Sequence, residues 1–318
     1  MVKGVTFAIY QLAVVGEIGS ESHVTLNVVG AVYADKSMSI KTKFTSVAQK
    51  YFNSMVVRED FQNNTSVAIG NINSWVAIVT ENTITELVGP DSVTPSTKLL
   101  LVNAIYFKGS WAAPFNKFQT EPSSFYIDSN NSITVSMMHK KGKFLYYDNQ
   151  QLNSQILAMD YQGKTTRLLI ILPKEIDGLA SLEKSFSCLN DLHLDRLNNT
   201  YVNASIPKFE ISYSKDFSST LQKLGMLAAF TPGADFSHIS NYSDIFISSV
   251  LQKAYLKVDE AGTEAAAVSA VMMLRSSLNL TPDKMVQFNM DHPFLFLLQH
   301  ISTKTIIFHG RVIRPSLA

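Results

Sequence analysis

The chain has one cysteine in 318 residues, so no internal disulfide can form and the fold must hold by packing alone. Charge is scarce and balanced, 27 Lys+Arg against 26 Asp+Glu, and a surplus of +1 leaves no basic footprint for a nucleic-acid backbone. No apolar run approaches the roughly 18 to 20 residues that a membrane-spanning helix needs. Neither nucleic acid nor a membrane is therefore expected as a partner. Catalytic signatures are missing too: there is no G-x-S-x-G elbow, no H-E-x-x-H, no P-loop and no G-x-G-x-x-G. The histidines, His23, His139, His193, His238, His292, His300 and His309, never pair at helical ligand spacing, and Cys188 alone cannot build a thiolate site. The sequence thus predicts no catalytic residue, no metal and no cofactor.

What is present is apolar: 46% hydrophobic residues exclude a disordered chain and provide for a large core. No Pro/Gly/Ser-rich linker or repeat divides the chain, so a single domain over 1–318 is expected. Val24, Leu26 and Val28 alternate with polar or small neighbours up to Tyr33, which reads as a strand closing in a turn at Asp35, Lys36 and Ser37. Phe44 to Phe52 has helical spacing, and Ile72, Trp75, Val76, Val79 and Ile84 recur as the stripe of an amphipathic helix.

Leu99 to Phe107 is nearly continuously apolar, as in a strand buried on both faces, with Asn103 as a polar interruption that needs a partner. Arg167 to Pro173 reads as a second buried strand. Val202 to Ile211, interrupted by Pro207, reads as an edge or bulged strand. Phe294 to Leu298 and Thr305 to Phe308 flank a turn as a C-terminal hairpin. Sheet dominates the second half, so the class is α+β. The densest basic stretch, His139 to Lys143, is either a solvated surface loop or a patch for an anionic ligand.

Signals of compartment diverge. Val5 to Val15 reads as a helix and not as a signal peptide, and the lone Cys188 suits a reducing compartment as well as a large secreted fold. The triplets Asn63-Asn64-Thr65, Asn203-Ala204-Ser205 and Asn241-Tyr242-Ser243 have the form of glycosylation acceptors. The expectation is an extracellular protein, exported without a leader or carrying an incomplete N-terminus, with the cytoplasm as the alternative.

The segment 258–282 stands apart. Glu264 to Leu274 has high helix propensity. Its apolar residues are nevertheless consecutive instead of striped, and Gly262 and Thr263 suit a helix interior poorly. A run of small side chains equally suits a segment that slides between two strands.

At these residues the chain resembles the serpins, in particular their intracellular-type, ovalbumin-like branch. Glu260-Ala261-Gly262-Thr263-Glu264-Ala265-Ala266-Ala267 resembles the hinge of the serpin reactive loop. Phe288 to Leu298 is similar to the family's C-terminal signature, and Ile307 to Val312 to its closing strand. Leu101 to Trp111 resembles the central strand of the main sheet with the tryptophan that follows it, and Ile72 to Val76 the helix lying over that sheet. Both tryptophans of the sequence, Trp75 and Trp111, fall at family positions.

The resemblance implies a large mixed central sheet, smaller sheets, packed helices and an exposed loop. It implies suicide inhibition of a serine protease by a monomer: the loop is cleaved, an acyl-enzyme forms, and the hinge inserts into the main sheet as a new strand. Small or β-compatible side chains at Thr263, Ala265, Ala266 and Ala267 fit such insertion. Family spacing from Glu260 puts the reactive bond between Ser276 and Ser277, which suits an elastase-like pocket. One residue earlier, Arg275-Ser276 offers a cation to a trypsin-like pocket, and Arg275 is favoured.

The sequence also departs from the family. Residues 1–22 form a shortened N-terminal region, because Gly16 to His23 leads straight into the strand at Val24 where serpins have further elements. Asn103 is kept in the family's sheet-opening cluster, which also takes in Trp111, but Gln252 replaces the usual histidine. These departures support an alternative, a non-inhibitory serpin acting as protease substrate or binding module.

Overall fold

The computed structural model describes residues 24–186, 189–263 and 285–316. Two compact units emerge from the folding of the chain, each assembled from separated stretches, 26–107 with 211–256 and 108–210 with 257–316.

In order along the chain, the elements begin with β1 (Val24–Asp35), α1 (Thr42–Phe52), β2 (Ser54–Glu59), α2 (Thr65–Val79) and β3 (Leu99–Ser110). Next come β4 (Glu121–Tyr126), β5 (Ser132–Asn149), β6 (Ser154–Asp160), β7 (Thr166–Pro173), α3 (Leu179–Ser185), β8 (Asn198–Pro207) and β9 (Phe209–Asp216). The last group is α4 (Ser218–Lys223), β10 (Ile247–Val258), β11 (Gly262–Thr263), β12 (Val286–Asn289), β13 (Phe294–His300) and β14 (Ile306–Val312).

In the first unit the sheet runs β2-β1-β3-β10-β9. The helix α2 forms where Ala68, Ile72 and Val76 recur at four residues, and all three are buried against Leu100, Val102, Ala104, Tyr106, Leu251 and Tyr255 of the sheet. It ends at Thr80, whose Oγ1 donates to Val76 O at 2.7 Å and accepts from Ile84 N at 3.1 Å. Ile84 therefore lies beyond the helix, although the stripe predicts it within, and still fills the same core at 1% exposure. Asn73, on α2, accepts from Leu87 N and Val88 N and donates to Val88 O, each at 2.9 Å, which fixes the connection to β3.

Three readings change with the sheet in view. First, β3 is buried on both faces only toward its ends, where Leu99 and Phe107 are covered as well as their neighbours. Between them Leu100, Val102, Ala104 and Tyr106 are buried toward α2, while Leu101, Asn103 and Ile105 are half-buried, a two-sided alternation within the apolar run. Second, the stretch around Pro207 is two strands. β8 ends at Pro207 and pairs with both β12 and β5, so it is an interior strand, whereas Phe209 begins β9, an edge. Pro207 is the last residue of β8, opposite Met137, and the chain leaves the sheet immediately after it.

Third, His139 to Lys143 is not a loop but the middle of β5, in the second unit's sheet β12-β8-β5-β6-β7-β13-β14. That sheet buries Leu168 to Leu172 of β7 and Phe294, Phe296 and Leu298 of β13, as the strand and hairpin readings anticipated. No helix among the described residues is long and apolar enough to cross a membrane.

Candidate functional site

The site grows from the end of β10. Val258 is fully buried, and the chain then turns through Asp259, whose Oδ1 accepts from Ala261 N at 2.9 Å and Gly262 N at 3.2 Å. Asp259 N donates to Gly262 O at 2.8 Å and closes the turn. The segment after β3 holds this turn from outside. Trp111 Nε1 donates to Asp259 O at 2.9 Å, Phe115 N to Glu260 O at 2.8 Å, and Trp111 N to Ala261 O at 2.9 Å. Every carbonyl from Asp259 to Gly262 thus has a donor, so this turn is clamped.

Glu260 is 6% exposed, and its carboxylate is received by two groups distant in sequence, Thr120 just before β4 and Lys208 between β8 and β9. Thr120 Oγ1 donates to Oε1 at 2.8 Å, and Lys208 Nζ pairs with Oε2 at 3.2 Å. Burial pushes this carboxyl up, but a backbone hydrogen bond, the Thr120 hydroxyl and the Lys208 ammonium together outweigh burial and hold it below the ordinary glutamate value. Trp111 is 1% exposed and stacks on Tyr161 with ring centroids 4.4 Å apart. Lys140 braces the clamp. Its Nζ donates to Ala113 O at 2.5 Å and Pro114 O at 3.2 Å and lies over the Phe115 ring, and burial brings its pKa down to about 8.

From this base the chain reverses and β11 pairs antiparallel with β3, Gly262 opposite Ser110 and Thr263 opposite Gly109. Gly262 has φ +145°, and a Cβ there would lie 2.1 Å from Gly109 O, so only glycine fits. Below this point β3 pairs directly and in parallel with β10, from Leu99–Ile247 to Phe107–Leu256. The two-residue β11 thus lies beside β3 at a level where the β3–β10 ladder has already ended.

The anticipated site residues divide accordingly. Glu260, Gly262, Thr263 and Trp111 come together in the second unit. Asn103 and Gln252 are brought opposite each other by the β3–β10 register in the first unit, and Asn103 Nδ2 donates to Val29 O at 3.2 Å. Glu264, Ala265, Ala266, Ala267, Arg275, Ser276 and Ser277 lie outside the described residues, as do Val5 to Val15 and Cys188. Thr120, Lys208, Phe115 and Tyr161 were not legible as partners, since they lie far from this turn in sequence; Asp259 caps it from within, two and three residues from the N–H groups it accepts. Among the described residues no group of three His, Cys, Asp or Glu is placed to hold a metal.

A family model described as Serpin (serine protease inhibitor) matches residues 7–315. The chain belongs to the serpin family. It is 36% identical over 294 residues to Serpin B6 of Pongo abelii, covering 91% of this serpin and 77% of that one. It is 35% identical over 298 residues to the leukocyte elastase inhibitor of Equus caballus, covering 91% and 78%. Among solved structures, human thyroxine-binding globulin superposes with a TM-score of 0.88 at 31% identity, covering 98% of this chain and 81% of that one. Uncleaved ovalbumin superposes at 0.84 and 26%, covering 95% and 78%. Membership makes this serpin a protein of a protease-inhibitor family and not an enzyme, and gives it the α+β serpin fold.

Proposed function

We propose that this serpin, as a single domain over 1–318, inhibits serine proteases by loop cleavage, acyl-enzyme trapping and insertion of the hinge beside β3. The observation that carries the reading is β11, a strand already begun in antiparallel register with β3. Continued in that register, Glu264 would face Lys108 as an opposite-charge pair, and Ala265 would face Phe107, where β10 must give way. Ala266 and Val268 would then join Tyr106 and Ala104 on the α2 side, and Ser269 would meet Asn103 on the other, polar against polar. Every side chain entering the apolar face is small or β-branched, which favours insertion.

Arg275 suits a trypsin-like pocket, and Ser276 an elastase-like one. The leukocyte elastase inhibitor among the relatives gives weight to the second bond. Resemblance to the intracellular-type branch favours the cytoplasm over export, so the sugar-acceptor triplets are read as unused.

Incubation with trypsin and with elastase, followed by a denaturing gel and mass analysis of the released C-terminal peptide, tests this. A denaturant-resistant complex with a peptide starting at Ser276 or at Ser277 is expected. Clean cleavage without a complex would establish the substrate reading, which Gln252 opposite Asn103 favours.

A further inference from the structure

We propose that Lys141 and Lys143 form a second contact for the attacking protease, one that accepts an acidic patch on the protease surface. The inference rests on the inhibitory reading for its partner but on the second unit's sheet for its geometry.

Alternation along β5 sends Lys140 to one face, against Phe115 and Phe144, and Lys141 and Lys143 to the other. Both are exposed. Their cross-strand neighbours on β8 are Asn203 and Tyr201, and Asn203 in turn faces Gln287 on β12 and hydrogen-bonds it at 2.8 Å. The row is therefore neutral apart from the two lysines. His139, on the same face, faces Ser205 and is met by Glu121 at 3.4 Å, so the carboxylate that comes near is already engaged. Among the described residues no carboxylate lies within 4.0 Å of Lys141 or Lys143, and Lys143 Nζ instead hovers 5.3 Å above the Tyr201 ring. Among the described residues, then, two positive charges stand without a carboxylate partner on a polar face.

Their position relative to the loop identifies the occupant. β12 begins at Val286 opposite Val202, so the chain arrives from the reactive segment beside Tyr201, the neighbour of Lys143. Two strand spacings, about 10 Å, separate β5 from β12. Met285 follows Arg275 by ten residues, at most about 35 Å of extended chain. A protease domain of ordinary size is about 45 Å across. An enzyme seated on the loop is therefore within reach of this face, and an acidic surface on it would be drawn in by the two lysines.

The test uses K141E/K143E and K141A/K143A in the full chain, with proteases whose active-site serine is replaced by alanine, so that association is measured without trapping. Association with an anionic trypsin is expected to slow about tenfold for K141E/K143E at low ionic strength, less for K141A/K143A, with the difference gone near 1 M salt, where the Debye length is about 3 Å. Association with a cationic trypsin should quicken. Equal association rates for parent and K141E/K143E would overturn the proposal, as would an effect that salt does not screen. Loss of heparin binding in the variants with protease association unchanged would assign the face to a polyanion and overturn it too. A parent chain that binds the inactive protease with lysine-dependent kinetics, yet forms no covalent complex with the active one, would sink the trapping mechanism alone.

Discussion

Gly262→Ala tests the clamp most directly. The added Cβ would lie 2.1 Å from Gly109 O, 2.6 Å from Ser110 Cα and 2.8 Å from Trp111 N, all backbone atoms that no rotamer change can move. The φ of +145° adds strain of about 1–3 kcal/mol for any residue with a Cβ. Relief requires β11 to leave β3, which forfeits its ladder bonds and the Trp111 N to Ala261 O bond, each worth about 0.5–1.5 kcal/mol net. The expected loss is roughly 2–5 kcal/mol, or a melting temperature lower by roughly 4–10 °C for a chain of this size. Gly233→Ala is the control, because nothing lies within 4 Å of its added Cβ. Scanning calorimetry at a fixed scan rate, with limited proteolysis of the hinge, reads both variants. A Gly262→Ala protein melting within about 1 °C of the parent, and no more readily cut, would refute the close approach of hinge and β3.

Lys208→Met removes the ammonium that holds the buried Glu260 carboxylate. The folded-state value of Glu260 lies below its ordinary 4.5, so its stabilisation is present above that value and is lost as pH falls through the folded one. With Lys208 gone, its hydrogen bond and its charge no longer hold the value down, and the carboxyl's pKa rises. The variant should be about 1–3 kcal/mol less stable at neutral pH and lose stability at a higher pH on acidification. Urea midpoints between pH 3 and 7 decide it, and an unchanged acid profile counts against the pair.

Thr263→Arg places a charge opposite the buried Gly109 and should convert inhibitor to substrate; an unaltered stoichiometry of inhibition would rule out insertion. Arg275→Ala should abolish activity on trypsin-like enzymes and spare elastase-like ones, while equal loss against both would move the reactive bond.

Much of this serpin was legible in local pattern. The stripe of Ile72 and Val76, the apolar run from Leu99 and the hairpin after Phe294 each declare themselves through periodicity, which acts over a few residues, whereas the motif from Glu260 was read through its resemblance to the family. β5 did not, because Lys140, Lys141 and Lys143 read as a solvated run until register showed the lysines alternating between the two faces of a strand. Glu260 was readable as a hinge residue, but its receivers were not. Thr120 and Lys208 are 140 and 52 positions away in the chain and meet it only because the fold brings the entry to β4 and the β8–β9 junction to this turn. The sequence by itself determined the segments whose apolar residues follow one clear period, such as α2, β7 and the C-terminal hairpin. Only the tertiary structure decided that His139 to Lys143 is strand, which carbonyls are clamped and which carboxylate is paired, because hydrogen bonds and ion pairs depend on distances that pattern along the chain does not encode.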